Sequence, residues 1–350
     1  MAKTLVVIFG AGASHGCRPE YEVVSGYKVR IPLTNGLFRV PNANHSAIEE
    51  ARNILLKYSG ADVVGSLFER GYRKKPELSL EDYLKELIAG KNENRIRNVR
   101  EVPFYLRELI GTLCKHIRQE YRQTDYTLLI DYLDNSDYEK IVLITLNYDL
   151  LLDWALRDVV HWRAEDMDSY LAHQGKWYYI KLHGSINWIK MLDRRKLRDK
   201  CKGTELELLT SFDPNEDFVH SLPIQFNDNQ YSYSLGSGYE TLLFPVMVLP
   251  FGQEKKHICP ENHIEKIKPL LQEAEDFWII GNSMQDSDIC DLLSKNAVSA
   301  KNVQIIDKPA NPVQRKQSIK RVTNCFSSRD GKGLDPMYFD LGFHGYVEQL

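Results

Sequence analysis

The chain has 350 residues, 43% hydrophobic and 27% charged, with a formal net charge of -3. These proportions exclude disordered, collagen-like and fibrous chains, and the length suits one large α/β domain with insertions or two domains. A nearly balanced charge gives no global basic field of the kind that draws proteins onto nucleic acid or anionic lipid, so any such contact is local.

Thr4 to Phe9 is a run of β-branched and aromatic residues that stops at Gly10-Ala11-Gly12, a pattern that predicts a buried first strand and a tight turn. From Ser46 to about Gln123 the apolar positions change to helical spacing: Ile48, Ala51 and Leu55, then Leu80, Tyr83, Leu84 and Leu87, then Phe104, Leu106, Ile110, Leu113 and Ile117. Ser79, Glu81 and Asp82 read as the capped, acidic start of a helix. Further strands are expected at Ile141 to Leu146, Trp177 to Leu182, Val246 to Pro250, Phe277 to Ile280 and Val303 to Ile306. Helical patterns lie between several of them, at Asp149 to Val159, Glu261 to Glu275 and Asp286 to Ala300. Strands alternating with helices imply a mostly parallel sheet covered on both faces. The expectation is a single α/β domain over 1–350, with a helical insertion over about 46–135 and a polar insertion over about 193–240 that ends in Gly236-Ser237-Gly238. From Gln314 the tail is expected to return as a helix and a short strand.

The cysteines stand at 17, 114, 201, 259, 290 and 325, and no CxxC pair exists. A structural zinc site needs short ligand pairs so that one turn presents two thiolates, so no metal is expected. Lys3, the run Leu5 to Phe9 and Ala11-Gly12-Ala13 imitate an export signal, but the apolar stretch is too short for one. No run approaches the roughly 18 apolar residues of a membrane helix. The expectation is a cytoplasmic protein with reduced thiols and no membrane contact.

Four segments carry candidate chemistry. Gly10-Ala11-Gly12-Ala13-Ser14 follows a strand, where glycines let backbone approach a pyrophosphate. Its third glycine is Gly16, which gives GxGxxxG where the dehydrogenase fingerprint has GxGxxG, so hydride transfer is set aside. Gly12-Ala13-Ser14-His15-Gly16 also matches the nucleophile elbow of serine hydrolases, yet only eleven residues precede Gly12, where an elbow needs several strands and an oxyanion-hole loop before it. Thr145-Leu146-Asn147-Tyr148-Asp149 puts Asn147 at the C-terminal edge of the sheet, with Asp149 readable as a helix cap. Lys181-Leu182-His183-Gly184-Ser185 brings His183 to the same edge, Gly281-Asn282-Ser283 closes the fifth strand and Asp307 closes the sixth.

The ordered set GAGAS, T-x-N-x-D, HG and G-x-S resembles the sirtuin superfamily, and most closely its bacterial NAD-hydrolysing branch found in antiviral defence systems. The resemblance spans the α/β core but not the helical block or the polar insertion. It implies a Rossmann-like fold with NAD as substrate. It also implies Asn147 and His183 as catalytic residues beside the nicotinamide ribose, and Gly10, Ala11, Gly12, Ala13 and Ser14 at the phosphates. Thr145 and Asp149 flank the asparagine, Gly281, Asn282 and Ser283 approach the adenosine half, and Asp307 lies near the adenosine ribose. The four-cysteine zinc module of protein-deacylating sirtuins is missing, and their GIPDFR loop is replaced around Ile31-Pro32-Leu33-Thr34-Asn35.

The implied activity is NAD hydrolysis to nicotinamide and ADP-ribose, with an NAD-dependent deacylase and a non-catalytic NAD- or ADP-ribose-sensing module as the competing readings. Defence-type hydrolases endanger their host, so the resemblance further implies a gated homo-oligomer beside a separately encoded ATPase or sensor protein. Lys190, Arg194, Arg195, Lys196, Arg198, Lys200 and Lys202 form a local basic run, read as solvated surface with partner or nucleic-acid contact as the alternative.

Overall fold

A computed structural model of the chain describes residues 3–17, 29–33, 36–39, 45–74, 80–90, 92–121, 123–164, 166–196, 203–211, 223–226, 234–235, 241–247, 258–326 and 334–350. Eleven strands lie among them: β1 (Thr4–Phe9), β2 (Lys140–Thr145), β3 (Ala172–His173), β4 (Trp177–Lys181), β5 (Gly184–Asp193), β6 (Gln225–Phe226), β7 (Ser234–Leu235), β8 (Thr241–Met247), β9 (Asp276–Ile280), β10 (Asn302–Ile306) and β11 (Met337–Phe339). The chain divides into two compact units, Met1–Glu22 with Gln119–Gly184 and Lys255–Leu350, and Val23–Arg118 with Ser185–Glu254.

The first unit carries a seven-stranded sheet in the order β11-β10-β9-β1-β2-β4-β3. Every pairing in it is parallel except that of the short β3 with β4. Leaving out β3, the chain runs outward from β1 through β2 and β4 on one side, then returns to β9, β10 and β11 on the other. This is the 3-2-1-4-5-6 order of doubly wound α/β proteins, whose switch point lies at the central strand. The fold is therefore α/β and Rossmann-like, as the alternation of strands and helices implied.

The strands read as near-continuous apolar runs because both sheet faces are covered. Val6, Ile8, Val142, Ile144, Ile180, Phe277 and Ile279 enter one buried cluster, with Ile264, Ile267 and Leu271 of the helix Glu261–Glu273 and Ile289 and Leu293 of the helix Ser287–Asn296. On Phe9 rest Tyr126 of the helix Asp125–Asp134, at 5.4 Å between ring centres, and Phe343 of the helix Gly342–Val347, at 6.3 Å. The helix Asp125–Asp134 thus belongs to the sheet unit, although its spacing had placed it in the helical insertion over about 46–135. Its Thr124 cap and aromatic partners dock it beside β1.

The second unit surrounds the helix Glu93–Glu120 with the helices Ser46–Lys57, Ser59–Lys74 and Leu80–Ala89, together with a sheet of order β6-β5-β8-β7. Buried Arg107 donates from Nε to the Ile186 carbonyl at 2.9 Å, and Phe104 meets Phe244 edge-on at 5.8 Å. The strand expected at Val246 to Pro250 is thus corrected. It runs from Thr241 to Met247 and pairs antiparallel with β7 outside the parallel sheet, while 248–250 lie outside the described residues. Pro245, which reads as a strand breaker, sits inside it. The Ser79 cap, Gly236-Ser237-Gly238 and the basic positions 198, 200 and 202 also fall outside the described residues. Of the basic run, Arg194 lies 3.6 Å from Glu205 and Arg195 lies 3.3 Å from Asp193.

Cys290 and Cys325 form a disulfide, which corrects the expectation of reduced thiols, while Cys17, Cys114 and Cys259 are buried thiols outside any disulfide. The two partners are 35 positions apart, and only the side-by-side packing of the helices Ser287–Asn296 and Pro312–Cys325 joins them. Reduction, or Cys325→Ser, is expected to lower stability by about 2–4 kcal/mol, read from melting curves with and without reductant. Among the described residues no helix is long and apolar enough to cross a membrane.

Candidate active site

Register places the candidate residues. Phe9 pairs with Thr145 and Ile280, Thr145 with Lys181, and Ile280 with Ile306, so the last residues of five strands form one row across the sheet. Gly10, Asn147, His183, Gly281 and Asp307 follow that row at the carboxyl edge, where open α/β sheets bind ligands.

The turn after β1 and the turn after β9 are built against each other. Gly10 N donates to the Ile280 carbonyl at 3.0 Å, Gly12 N to the Gly281 carbonyl at 2.9 Å, and Gly281 N to the Ile306 carbonyl at 2.8 Å. A Cβ on Gly10 would lie 2.6 Å from the Gly281 oxygen, and one on Gly281 would lie 2.1 Å from Ala13 N. The glycines are therefore required by this backbone-on-backbone contact, independently of any ligand. Gly281 also has φ +57°, a left-handed conformation that costs a side-chain-bearing residue about 1–2 kcal/mol. Gly281→Ala is expected to destabilise by more than that figure, because the clash is with backbone that has nowhere to go. Gly16→Ala, where nothing lies within 4 Å, is the neutral control. Comparable melting temperatures for the two variants would refute this account.

Asn147 is 9% exposed and is held from three directions. Its backbone N–H donates to Thr145 Oγ1 at 3.1 Å, and its Nδ2 donates to the Gly10 carbonyl at 2.9 Å and to Ser14 Oγ at 3.0 Å. Both amide protons are thereby used, and Oδ1 remains as an acceptor. Ser14 Oγ in turn donates to Asp149 Oδ2 at 2.7 Å and meets the Tyr126 hydroxyl at 2.9 Å. Asp149 Oδ1 accepts from Leu151 N at 3.1 Å, the cap-like role its position allowed. Burial pushes the Asp149 carboxyl above its ordinary range, with Lys181 and Ser14 pulling the other way. Burial likewise raises the Tyr126 phenol and pushes the Cys17 thiol up to about 12, which leaves Cys17 unsuited as a nucleophile.

His183 follows the end of β4 with its side chain 12% exposed and Nε2 3.2 Å from Asp286 Oδ2. Asp286 Oδ1 caps the helix Ser287–Asn296, accepting from Asp288 N at 2.9 Å and Ile289 N at 3.2 Å. His183, Asp286 and Asp288 each bring one possible ligand atom within 4.8 Å of the others. A helix cap and a histidine–carboxylate contact account for that grouping. On the β9 side Asn282 is buried and accepts from Met284 N at 2.8 Å, Ser283 is exposed, and Asp307 is half-buried with its carboxyl raised by burial.

The structure thus brings Gly10, Gly12, Ser14, Thr145, Asn147 and Asp149 into one bonded cluster, with Gly281 and Asn282 packed on it. Ala11, His183, Ser283 and Asp307 present surface at the same edge. Sequence reading missed Tyr126 and Asp286. Asp286 carried a cap signal, but nothing local marked its contact with His183.

No protein-family model and no curated protein matches the chain. Solved structures that resemble it include a Sir2 homologue in complex with NAD, at 15% identity over 99% of this chain and 88% of the other, TM-score 0.42. A Sir2 homologue bound to ADP-ribose matches at 15% identity over 99% and 90%, TM-score 0.41. A third, Sir2Tm bound to a propionylated peptide, matches at 12% identity over 99% and 91%, TM-score 0.36.

Proposed function

We propose that the protein is an NAD hydrolase that cleaves the bond between nicotinamide and ribose, yielding nicotinamide and ADP-ribose. The observation that carries this reading is Asn147. Its amide protons are anchored on the Gly10 carbonyl and Ser14, so that its one remaining polar atom is an acceptor at the sheet edge, on the strand next to that of His183.

Cleavage makes an oxocarbenium-like ribosyl centre and expels a neutral base, so no acid is needed for the leaving group. Water adds to the ribosyl carbon and gives up a proton. Asn147 Oδ1 orients that water or a ribose hydroxyl, and His183 takes the proton at neutral pH. Gly10 to Ser14 offers its surface to the phosphates, while Ser283 and Asp307 flank the adenosine half.

The test is incubation of purified protein with NAD, with and without an acylated peptide, and separation of products by mass. Nicotinamide and ADP-ribose without peptide support hydrolysis. Transfer of the acyl group onto ADP-ribose establishes the deacylase reading, and NAD recovered intact but retained by the protein establishes a sensing module. The biological role proposed is defence by depletion of the cytoplasmic NAD pool, in a homo-oligomer gated by a separately encoded ATPase or sensor. Infected bacteria carrying the complete system should lose NAD before phage release, and protection with NAD unchanged would reject that role.

A further inference from the structure

His183 and Asp286 come from two different strand ends, those of β4 and β9, and their meeting is not needed to close the sheet. His183 Nε2 is shut off from solvent, and Asp286 Oδ2 lies 3.2 Å from it, outside the geometry of a regular hydrogen bond. A buried N–H without an acceptor is costly, and catalytic hydrogen bonds are often long and bent before substrate binds. The carboxylate itself is fixed, because its other oxygen holds two amides at the start of the helix Ser287–Asn296. Burial pushes the Asp286 carboxyl up, but the contact with His183 and the two helix amides outweigh it and hold the group below its ordinary range. Asp286 is thus an anion at neutral pH with one oxygen 3.2 Å from the imidazole Nε2.

We propose that Asp286 is a positioning residue that holds His183 in the tautomer protonated at Nε2 and leaves Nδ1 as the proton acceptor. The proposal rests on the reading of His183 as the base. Which imidazole nitrogen carries the proton is set by the bond the other makes, and a neighbouring carboxylate raises the affinity of the ring for a proton. Among the described residues, the other charged groups near this corner are as follows. Asp288 lies on the same helix start, with Ser287 Oγ 3.4 Å from its Oδ1, and Arg321 of the helix Pro312–Cys325 reaches the Ser283 carbonyl at 3.5 Å. Lys181 is buried against Asp153. Asp288 is therefore the control for a negative charge that lies nearby without the direct contact.

The experiment compares wild type, Asp286→Asn and Asp288→Asn. Asparagine caps a helix about as well as aspartate, so Asp286→Asn keeps the fold while removing the charge. Nitrogen-15 spectra of the labelled full chain, with the His183 signal identified by its loss in His183→Gln, read the tautomer and the titration midpoint without any need for NAD. The expected result is an Nε2–H tautomer in wild type and a midpoint lowered by about one pH unit or more in Asp286→Asn, with a smaller shift in Asp288→Asn. The kcat for NAD cleavage in Asp286→Asn should fall by about tenfold or more, KM should hold, and the acid limb of the pH profile should move down with the midpoint. An Nδ1–H tautomer in wild type, or a midpoint unmoved in Asp286→Asn, would overturn the proposal. So would a moved midpoint with kcat and pH profile unchanged. A wild-type protein that leaves NAD intact defeats the hydrolase reading, while the spectra still decide whether Asp286 sets the tautomer.

Discussion

Asn147→Ala should lower NAD turnover by about two to three orders of magnitude, because it removes the acceptor that orients the attacking water and releases the turn that carries it. Truncation also removes one of the two hydrogen bonds that the Gly10 carbonyl accepts, leaving the one from Ala13 N, and frees Ser14 Oγ from one of its partners. A lost hydrogen bond is worth about 0.5–1.5 kcal/mol, so a modest drop in melting temperature should accompany the loss of activity. His183→Ala should lose turnover with less effect on melting, since its close neighbour Asp286 keeps its helix-cap bonds without the imidazole. Turnover and melting measured together separate the roles. An Asn147→Ala protein that melts lower but turns over normally would make Asn147 a structural strut, and full activity in His183→Ala would remove it from the chemistry.

The sheet was legible because parallel strands buried on both faces must be apolar along their whole length, and runs such as Thr4–Phe9 and Lys140–Thr145 have no other plausible use. Their ends were legible for the same reason: the apolar run stops where the chain meets the open edge of the sheet. Pro245 masked the start of β8, and an apolar run does not reveal which of two sheets will accept it. The glycine turn after β1 was legible, but its packing partner was not. That Gly10 and Gly12 pack on Gly281 depends on β1 and β9 being neighbours, a fact of topology that no local window contains. The same limit hid Tyr126 from Ser14, Asp286 from His183 and Cys290 from Cys325.

Lys181→Met should be the most damaging single change to stability among the polar residues beneath the site. Lys181 is fully buried at the end of β4, 2.9 Å from Asp153 Oδ2, and also donates to the Asp149 carbonyl. Tyr179 donates to the same Asp153 oxygen at 2.9 Å and Tyr170 to the other, with burial raising both phenols so that they stay protonated as donors. Removing the ammonium leaves a buried carboxylate with phenols alone and an orphaned carbonyl, a loss of about 3–5 kcal/mol against the roughly 5–15 kcal/mol that folded domains possess. The damage should reach the site as well. Lys181 opposes the upward push of burial on Asp149, so without it that carboxyl protonates more readily and accepts less strongly from Ser14, which positions Asn147. Because a buried pair is costly to desolvate, replacing both charges with apolar groups should be milder than replacing one, and Lys181→Met with Asp153→Leu should recover part of the loss. Urea midpoints for the two single variants and the double variant test this. A Lys181→Met protein within about 1 kcal/mol of wild type would mean that the cluster is not a structural support of the site, since surface-like changes stay in that range.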